Sequence, residues 1–168
     1  DYCYQGEHAD FGRPAERMSI DTAVQVAAWI AARVEEARPS RLVLTFFGGE
    51  TLLNFKVIQP TVAYARRRSA EEGQFIDVSL TTNATLLTPS IVQWLAENNI
   101  GVTVSIDGPK EYQDGMRVYS TGLGSYDVVA PRIRELLKVH RGRPIGARVT
   151  VTSKTLDLLR TRQHLVDE

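Results

Sequence analysis

Short apolar runs of strand length alternate along this chain with segments whose apolar residues recur at helical spacing, and that alternation constrains the fold most. Leu42-Val43-Leu44-Thr45-Phe46-Phe47 is nearly all apolar, as a strand covered on both faces would be. Phe75 to Thr82, Ile100 to Ile106 and Ile145 to Val151 read as three further strands. Ahead of the first, Ser19 caps a predicted helix with Asp21 in its first turn. Ile20, Val24, Ala27, Ala31 and Val34 are expected to form its buried face, and Pro39 marks its exit. A second helix is predicted from about Phe55 to Gly73, with Val57, Ile58, Val62 and Ala65 inward. A third opens at Thr88-Pro89, a cap followed by proline at the first helical position. Its stripe is Ile91, Val92, Leu95 and Ala96, and Asn98-Asn99 stops it. A long loop from Asp107 to Gly124 precedes a helix at about Tyr126 to His140, which contains Pro131, and Leu156 to Leu165 closes the pattern. One helix followed by four strand–helix units implies an α/β fold with parallel strands and right-handed crossovers. An open doubly wound sheet and part of a barrel both fit. Either gathers function at the carboxyl ends of the strands.

Composition narrows the class. With 168 residues, 43% apolar and 24% charged, the chain has enough apolar material for one domain with a sizeable core and is neither disordered, collagen-like nor disulfide-stapled. Lys plus Arg equals Asp plus Glu at 20 each, so there is no broad electrostatic pull on nucleic acid or a membrane surface, and neither is expected as a partner. No apolar run approaches membrane-spanning length and the beginning lacks a signal-peptide layout. A single cysteine excludes an internal disulfide, and the cytoplasm is the expected compartment. Asp1-Tyr2-Cys3-Tyr4 opens without an initiator methionine and Leu165-Val166-Asp167-Glu168 closes inside a helical pattern. The chain therefore reads as an internal segment of a longer protein, the alternative being a processed small domain.

Polar clusters fall at the end of each predicted strand. The first ends in Phe47-Gly48-Gly49-Glu50, where glycines let backbone approach a ligand and the acid can meet a cation. The second ends in Thr81-Thr82-Asn83, which read plainly is a turn with a left-handed asparagine. The third ends in Ser105-Ile106-Asp107-Gly108-Pro109, a common turn when taken alone. The fourth carries Arg148 and Thr150 on one strand face, and a charge in such a strand needs a partner or a ligand. In the long loop, Arg117 can offer a fork to a carboxylate. His8, His140 and His164 show no metal-ligand spacing, and Arg66-Arg67-Arg68 reads as the solvated end of a helix. Four polar clusters on consecutive strand ends would line one rim and one cavity.

In that order the motifs resemble the radical S-adenosylmethionine (SAM) enzymes, specifically the peptide-modifying branch with a C-terminal SPASM domain. Asp1-Tyr2-Cys3 is similar to the end of the family's Cys-x-x-x-Cys-x-aromatic-Cys motif. Phe47-Gly48-Gly49-Glu50-Thr51-Leu52-Leu53 is similar to Gly-Gly-Glu-Pro-Leu-Leu, with Thr51 in place of proline. Thr82-Asn83-Ala84-Thr85-Leu86-Leu87 is similar to Thr-Asn-Gly-Thr-Leu-Leu, with Ala84 in place of glycine. Val104-Ser105-Ile106-Asp107-Gly108-Pro109, Arg117 and Gly124-Ser125-Tyr126-Asp127 complete the likeness, which runs from residue 1 to about 152.

The resemblance implies a partial TIM-like (β/α)6 barrel truncated at both ends, with residues 1–168 forming a core fragment that lacks the first strand, the last strand and the SPASM domain. It implies a [4Fe-4S] cluster with Cys3 as a ligand, and SAM chelated to the open iron. Gly48, Gly49 and Glu50 would hold the methionyl ammonium, Ser105 the ribose or methionyl part, and Arg117 the carboxylate. Asn83 would shape the rim, and the Tyr2 backbone would face the adenine. The implied activity is reductive cleavage of SAM to a 5′-deoxyadenosyl radical that takes hydrogen from a peptide, fed by an electron donor such as flavodoxin or ferredoxin. Auxiliary iron–sulfur clusters would lie in the C-terminal part.

Leu44–Leu52, Gly124–Ile133 and Arg143–Thr150 look most like the quinohemoprotein amine dehydrogenase maturation proteins, which install thioether cross-links in a small subunit. The alternative substrate reading is a sulfatase-maturing enzyme that makes formylglycine. A non-catalytic peptide-binding scaffold of the same fold is an alternative of another class. A plain nucleotide-binding domain is weaker, since no Gly-x-Gly-x-x-Gly fingerprint is present. Cys3 alone cannot hold a cluster, so these 168 residues by themselves are expected to be colourless.

Overall fold

The structure is a computed structural model and describes residues 17–37 and 39–167. Tyr2 and Cys3, expected at the SAM and cluster sites, lie outside the described residues. Six α-helices and four strands are described: α1 Ile20–Ala37, β1 Arg41–Phe46, α2 Phe55–Glu71, β2 Phe75–Thr82, α3 Pro89–Glu97, β3 Gly101–Ser105, α4 Lys110–Met116, α5 Tyr126–Val139, β4 Gly146–Arg148 and α6 Leu158–Asp167. A 3-10 turn, Thr51–Asn54, leads into α2.

The strands form one parallel sheet in the order β1-β2-β3-β4. Every new strand joins the side of the one before it. A doubly wound sheet reverses direction at a switch point; this sheet does not, and its order is that of a barrel in progress. The core lies between one strand face and the helices. Val78, Leu80, Val102 and Val104 pack there against Ile58 and Val62 of α2, Val92 and Leu95 of α3, and Val129, Ile133 and Leu136 of α5. Leu80, Leu95 and Leu136 are fully buried, so this layer carries most of the hydrophobic stabilisation. On the opposite, inner face, the alternate residues are Val43 and Thr45, both exposed, then Ser79, Thr81, Thr103 and Ser105, half-buried, and Arg148, exposed.

Local chemistry explains the helix ends. Ser19 Oγ accepts from Thr22 N at 3.0 Å and Thr88 Oγ1 from Ile91 N at 3.3 Å, each a side-chain cap. Asn98 caps the end of α3 and Asn99 follows in the left-handed region with φ 45°.

Five expectations need correction. β1, expected to be covered on both faces, is covered on one: Leu44 and Phe46 pack against the core, whereas Val43 and Thr45 are exposed. Among the described residues of α1 the most buried is Ala23, with Ala27 and Val34 half-buried, whereas Ile20 and Val24 are exposed; the side chain of Ala31 lies outside the described residues. The helix lies against α2, and its contact covers less apolar surface than the sequence offers. The long loop contains α4, which periodicity missed because its one buried residue is a glutamine, Gln113. β4 stops at Arg148, because the Thr150 N–H turns to Asp107 Oδ1 at 2.9 Å instead of a neighbouring strand. Finally, the left-handed residue after β2 is Ala84, φ 64°, not Asn83.

Candidate functional site

The carboxyl ends of the strands meet through side chains. β1 runs into Phe47-Gly48-Gly49, whose residues are exposed, and then Glu50. Glu50 Oε1 accepts from Leu52 N at 3.0 Å, capping the 3-10 turn, and from Thr82 Oγ1 at 2.7 Å, while Oε2 accepts from Asn83 N at 2.7 Å. These charge-assisted bonds tie the end of β1 to the end of β2. Asn83 Oδ1 turns inward and accepts from Thr85 N at 2.9 Å and Thr85 Oγ1 at 2.6 Å. The Thr82 hydroxyl also accepts from Ala84 N at 3.1 Å, which holds the turn in its left-handed step.

A second carboxylate closes the other half of the rim. Asp107, 0% exposed, follows β3. Its Oδ2 accepts from Arg117 Nε at 2.8 Å, and its Oδ1 from Arg117 Nη2 at 3.2 Å and Thr150 N at 2.9 Å. Its backbone N–H donates to Gln113 Oε1 at 2.9 Å, and Gln113 Nε2 donates to Ser125 Oγ at 2.9 Å. One buried acid thus gathers β3, α4 and the chain after β4, and Gln113 links the group to the start of α5.

These contacts sort the expected residues. Glu50 and Asn83 come together directly. Gly48 borders open space: a Cβ there would meet nothing within 4 Å. Ser105 stands opposite Arg148 in the β3–β4 register, and its hydroxyl makes no side-chain hydrogen bond among the described residues. Arg117, expected to fork onto a ligand carboxylate, has its fork on Asp107. By sequence Asp107 reads as part of a common turn, and nothing in the letters pairs Thr82 with Glu50 or Gln113 with Asp107. The signals for Asp107 are its place in the Val104–Pro109 motif and an arginine ten residues further on. Across the mouth, the Arg148 guanidinium lies over the Phe47 ring, 5.6 Å from its centre. Among the described residues no cluster of His, Cys, Asp and Glu could hold a metal ion. His140 is buried with Nε2 2.7 Å from Ile100 O, and His164 meets Tyr126 Oη at 3.0 Å, so neither faces the rim as a ligand set. Arg66 bonds Asn98, and Arg67 and Arg68 pair with Glu71 and Glu72 at the end of α2, as a solvated helix end would.

A parallel sheet in barrel order, with helices on one face among the described residues and backbone glycines, a hydroxyl and a guanidinium at the carboxyl ends of its strands, defines an α/β-barrel segment with a polar rim. The chain belongs to the radical SAM superfamily, whose sequence pattern matches residues 1–155. It is 35% identical over 147 residues to the serine-type anaerobic sulfatase-maturating enzyme of Bacteroides thetaiotaomicron, covering 83% of this chain and 33% of that enzyme. The solved structure of native anSMEcpe with bound AdoMet superposes with a TM-score of 0.75 at 25% identity, covering 86% of this chain and 39% of the other. The same protein with AdoMet and the Cp18Cys peptide also gives 0.75 at 25%, covering 85% and 40%. The chain therefore spans a third to two fifths of the length of these relatives. No described helix is long and apolar enough to cross a membrane.

Proposed function

We propose that this chain is the SAM-binding core of an enzyme that modifies a peptide or small protein by hydrogen abstraction. The observation that carries the reading is the rim itself: an open Gly48 backbone beside Glu50, and a Ser105 hydroxyl with no partner among the described residues. Those groups fit a ligand with an ammonium and hydroxyls. Gly48 and Gly49 would offer backbone to the methionyl ammonium, with Glu50 Oε2 the acceptor beside them, and Ser105 would bind the ribose or methionyl part. Asn83 donates its N–H to the Glu50 carboxylate and would shape the rim beside it. Cys3 would hold one iron of a [4Fe-4S] cluster, and the Tyr2 backbone would face the adenine. Bound together, reduced cluster and SAM supply a 5′-deoxyadenosyl radical. The protein's part is to orient the ligand and exclude water.

For the substrate, the likeness of Leu44–Leu52, Gly124–Ile133 and Arg143–Thr150 to amine dehydrogenase maturation proteins supports thioether cross-linking in a small subunit. A second reading, formylglycine formation, is favoured by the named function of the Bacteroides relative. SPASM-type auxiliary clusters, a flavodoxin or ferredoxin donor and a cytoplasmic location accompany either reading.

The test is anaerobic reconstitution of the full-length protein with reductant and SAM. 5′-Deoxyadenosine is the expected product, and its absence refutes the reading. With a partner peptide, mass spectrometry separates the two chemistries: a thioether removes two hydrogens and blocks the cysteine thiol, whereas formylglycine leaves an aldehyde that a hydrazide captures.

A further inference from the structure

The amino end of the inner sheet face, opposite the rim, is ionic. Buried Val78 and Leu80 turn to the helices, so the alternation of β2 puts Asp77 on the inner face, where it stands opposite Val43 in the β1–β2 register. Two arginines converge on it from either side. Arg41, the first residue of β1, donates from Nη2 to Asp77 Oδ2 at 2.9 Å. Arg143, just ahead of β4, donates from Nη1 to Asp77 Oδ1 at 2.6 Å.

Arg143 has to cross β3 to reach that acid, and Gly101 is where it crosses. A Cβ at Gly101 would stand 3.0 Å from Arg143 Nη2 and 3.1 Å from its Cζ. The first residue of β3 thus carries no side chain where the guanidinium passes. The result is one charged band spanning the sheet, from β1 through Asp77 and over β3 to the entry of β4. Toward the rim the inner face turns to hydroxyls: Thr45 and Ser79 share a hydrogen bond of 3.0 Å, and Thr81, Thr103 and Ser105 follow. On the band's other side, Asp77 and Arg143 line a cavity of about 390 Å³ together with Arg66, Gln74, Asn98 and Asn99. A barrel interior is ordinarily filled by layers of branched aliphatic side chains. Here a carboxylate 17% exposed and a guanidinium 29% exposed take that place, held by charge-assisted bonds.

We propose that the Arg41–Asp77–Arg143 band is a strap that closes the barrel at its amino end. Water and small solutes in the cavity have to displace it to reach the hydroxyl-lined face, which leaves the carboxyl mouth as the way in. The closure depends on Arg143 lying across a bare glycine as well as on charge. It is independent of the reaction assigned to the mouth.

The test uses the full-length protein, reconstituted anaerobically, with one reporter thiol at a time: S79C beside the strap and S105C at the mouth. Each is treated with iodoacetamide, and alkylation is scored at that position by peptide mass spectrometry. Two variants open the strap differently. R143Q removes the crossing guanidinium, and G101V keeps every charge but fills the space where it lies. In both, the S79C thiol should react on the order of 10-fold faster and the S105C thiol at an unchanged rate. An unchanged S79C rate overturns the proposal. Equal acceleration of both thiols reports general loosening of the fold and overturns it too. Circular dichroism checks folding, and G101V carries the test if R143Q does not fold.

Discussion

Replacing Arg117 by alanine separates two roles for that residue. As a ligand fork, its loss would weaken binding and leave the fold alone. As the partner of Asp107, its loss strands a carboxylate that is 0% exposed, with the Thr150 N–H as the remaining donor to its oxygens among the bonds described above. Removing one member of a buried pair costs about 3–5 kcal/mol. The Arg117 side chain is 21% exposed, so water can enter as it leaves, and about 3 kcal/mol is the expected value. With a urea m-value of about 2 kcal/mol per M, the midpoint should fall by about 1.5 M. Unfolding would be followed by fluorescence of Trp94, which packs edge-on to Phe55 at 5.1 Å within this core. Adding D107N to R117A removes the stranded charge and should recover at least half of the loss. A midpoint shift below about 0.3 M in R117A, or no recovery in the double variant, would refute the structural role of the pair.

Gly124→Ala should destabilise by about 1–3 kcal/mol, read by the same urea titration. A Cβ at Gly124 would stand 2.1 Å from Asp114 Cγ, and Asp114 Oδ1 accepts from the first backbone N–H of α5, Tyr126 N, at 2.7 Å. An unchanged midpoint would mean that this carboxylate does not hold the helix start. Asp77 predicts a pH effect. Its hydrogen bond from Arg143, and then that from Arg41, hold its carboxyl below the ordinary range, with burial acting the other way. A depressed folded value gives stability that is fully present above the unfolded pKa of about 3.9 and is lost as pH falls through the lower folded value. D77N should therefore flatten the acid limb of the stability profile, and an identical acid slope would count against the bond.

The strand–helix alternation was readable because burial is one-sided and periodic. β2 spans the residues that its apolar run indicated, and α3 starts at the Thr88 cap. Where burial was polar, the signal disappeared. α4 is anchored by Gln113, and no apolar spacing announces a helix held by an amide between Asp107 N and Ser125 Oγ. The face of α1 was misjudged for the opposite reason, since its sequence offers more apolar surface than its contact with α2 uses. Spacing brought Gly48, Glu50, Asn83, Ser105 and Arg117 to consecutive strand ends, but it says nothing about which partner each one meets.

That gap explains why Arg117, readable as a ligand fork, is found in the structure with its fork on Asp107. A guanidinium in a loop and one in a strand look alike as letters, and the loop arginine is the more natural ligand fork. Three dimensions add a buried acid, Asp107, which cannot stay charged at 0% exposure without a donor at close range. Arg117 follows α4 directly, and Gln113 of α4 ties that helix to the Asp107 N–H and to Ser125. Once Arg117 is held, the strand arginine is left facing the mouth, steadied by Phe47 and not by an acid. The arrangement at the rim thus follows from how one buried carboxylate is satisfied, and D107N, which weakens the hold on Arg117 and on the Thr150 N–H, should lower the urea midpoint.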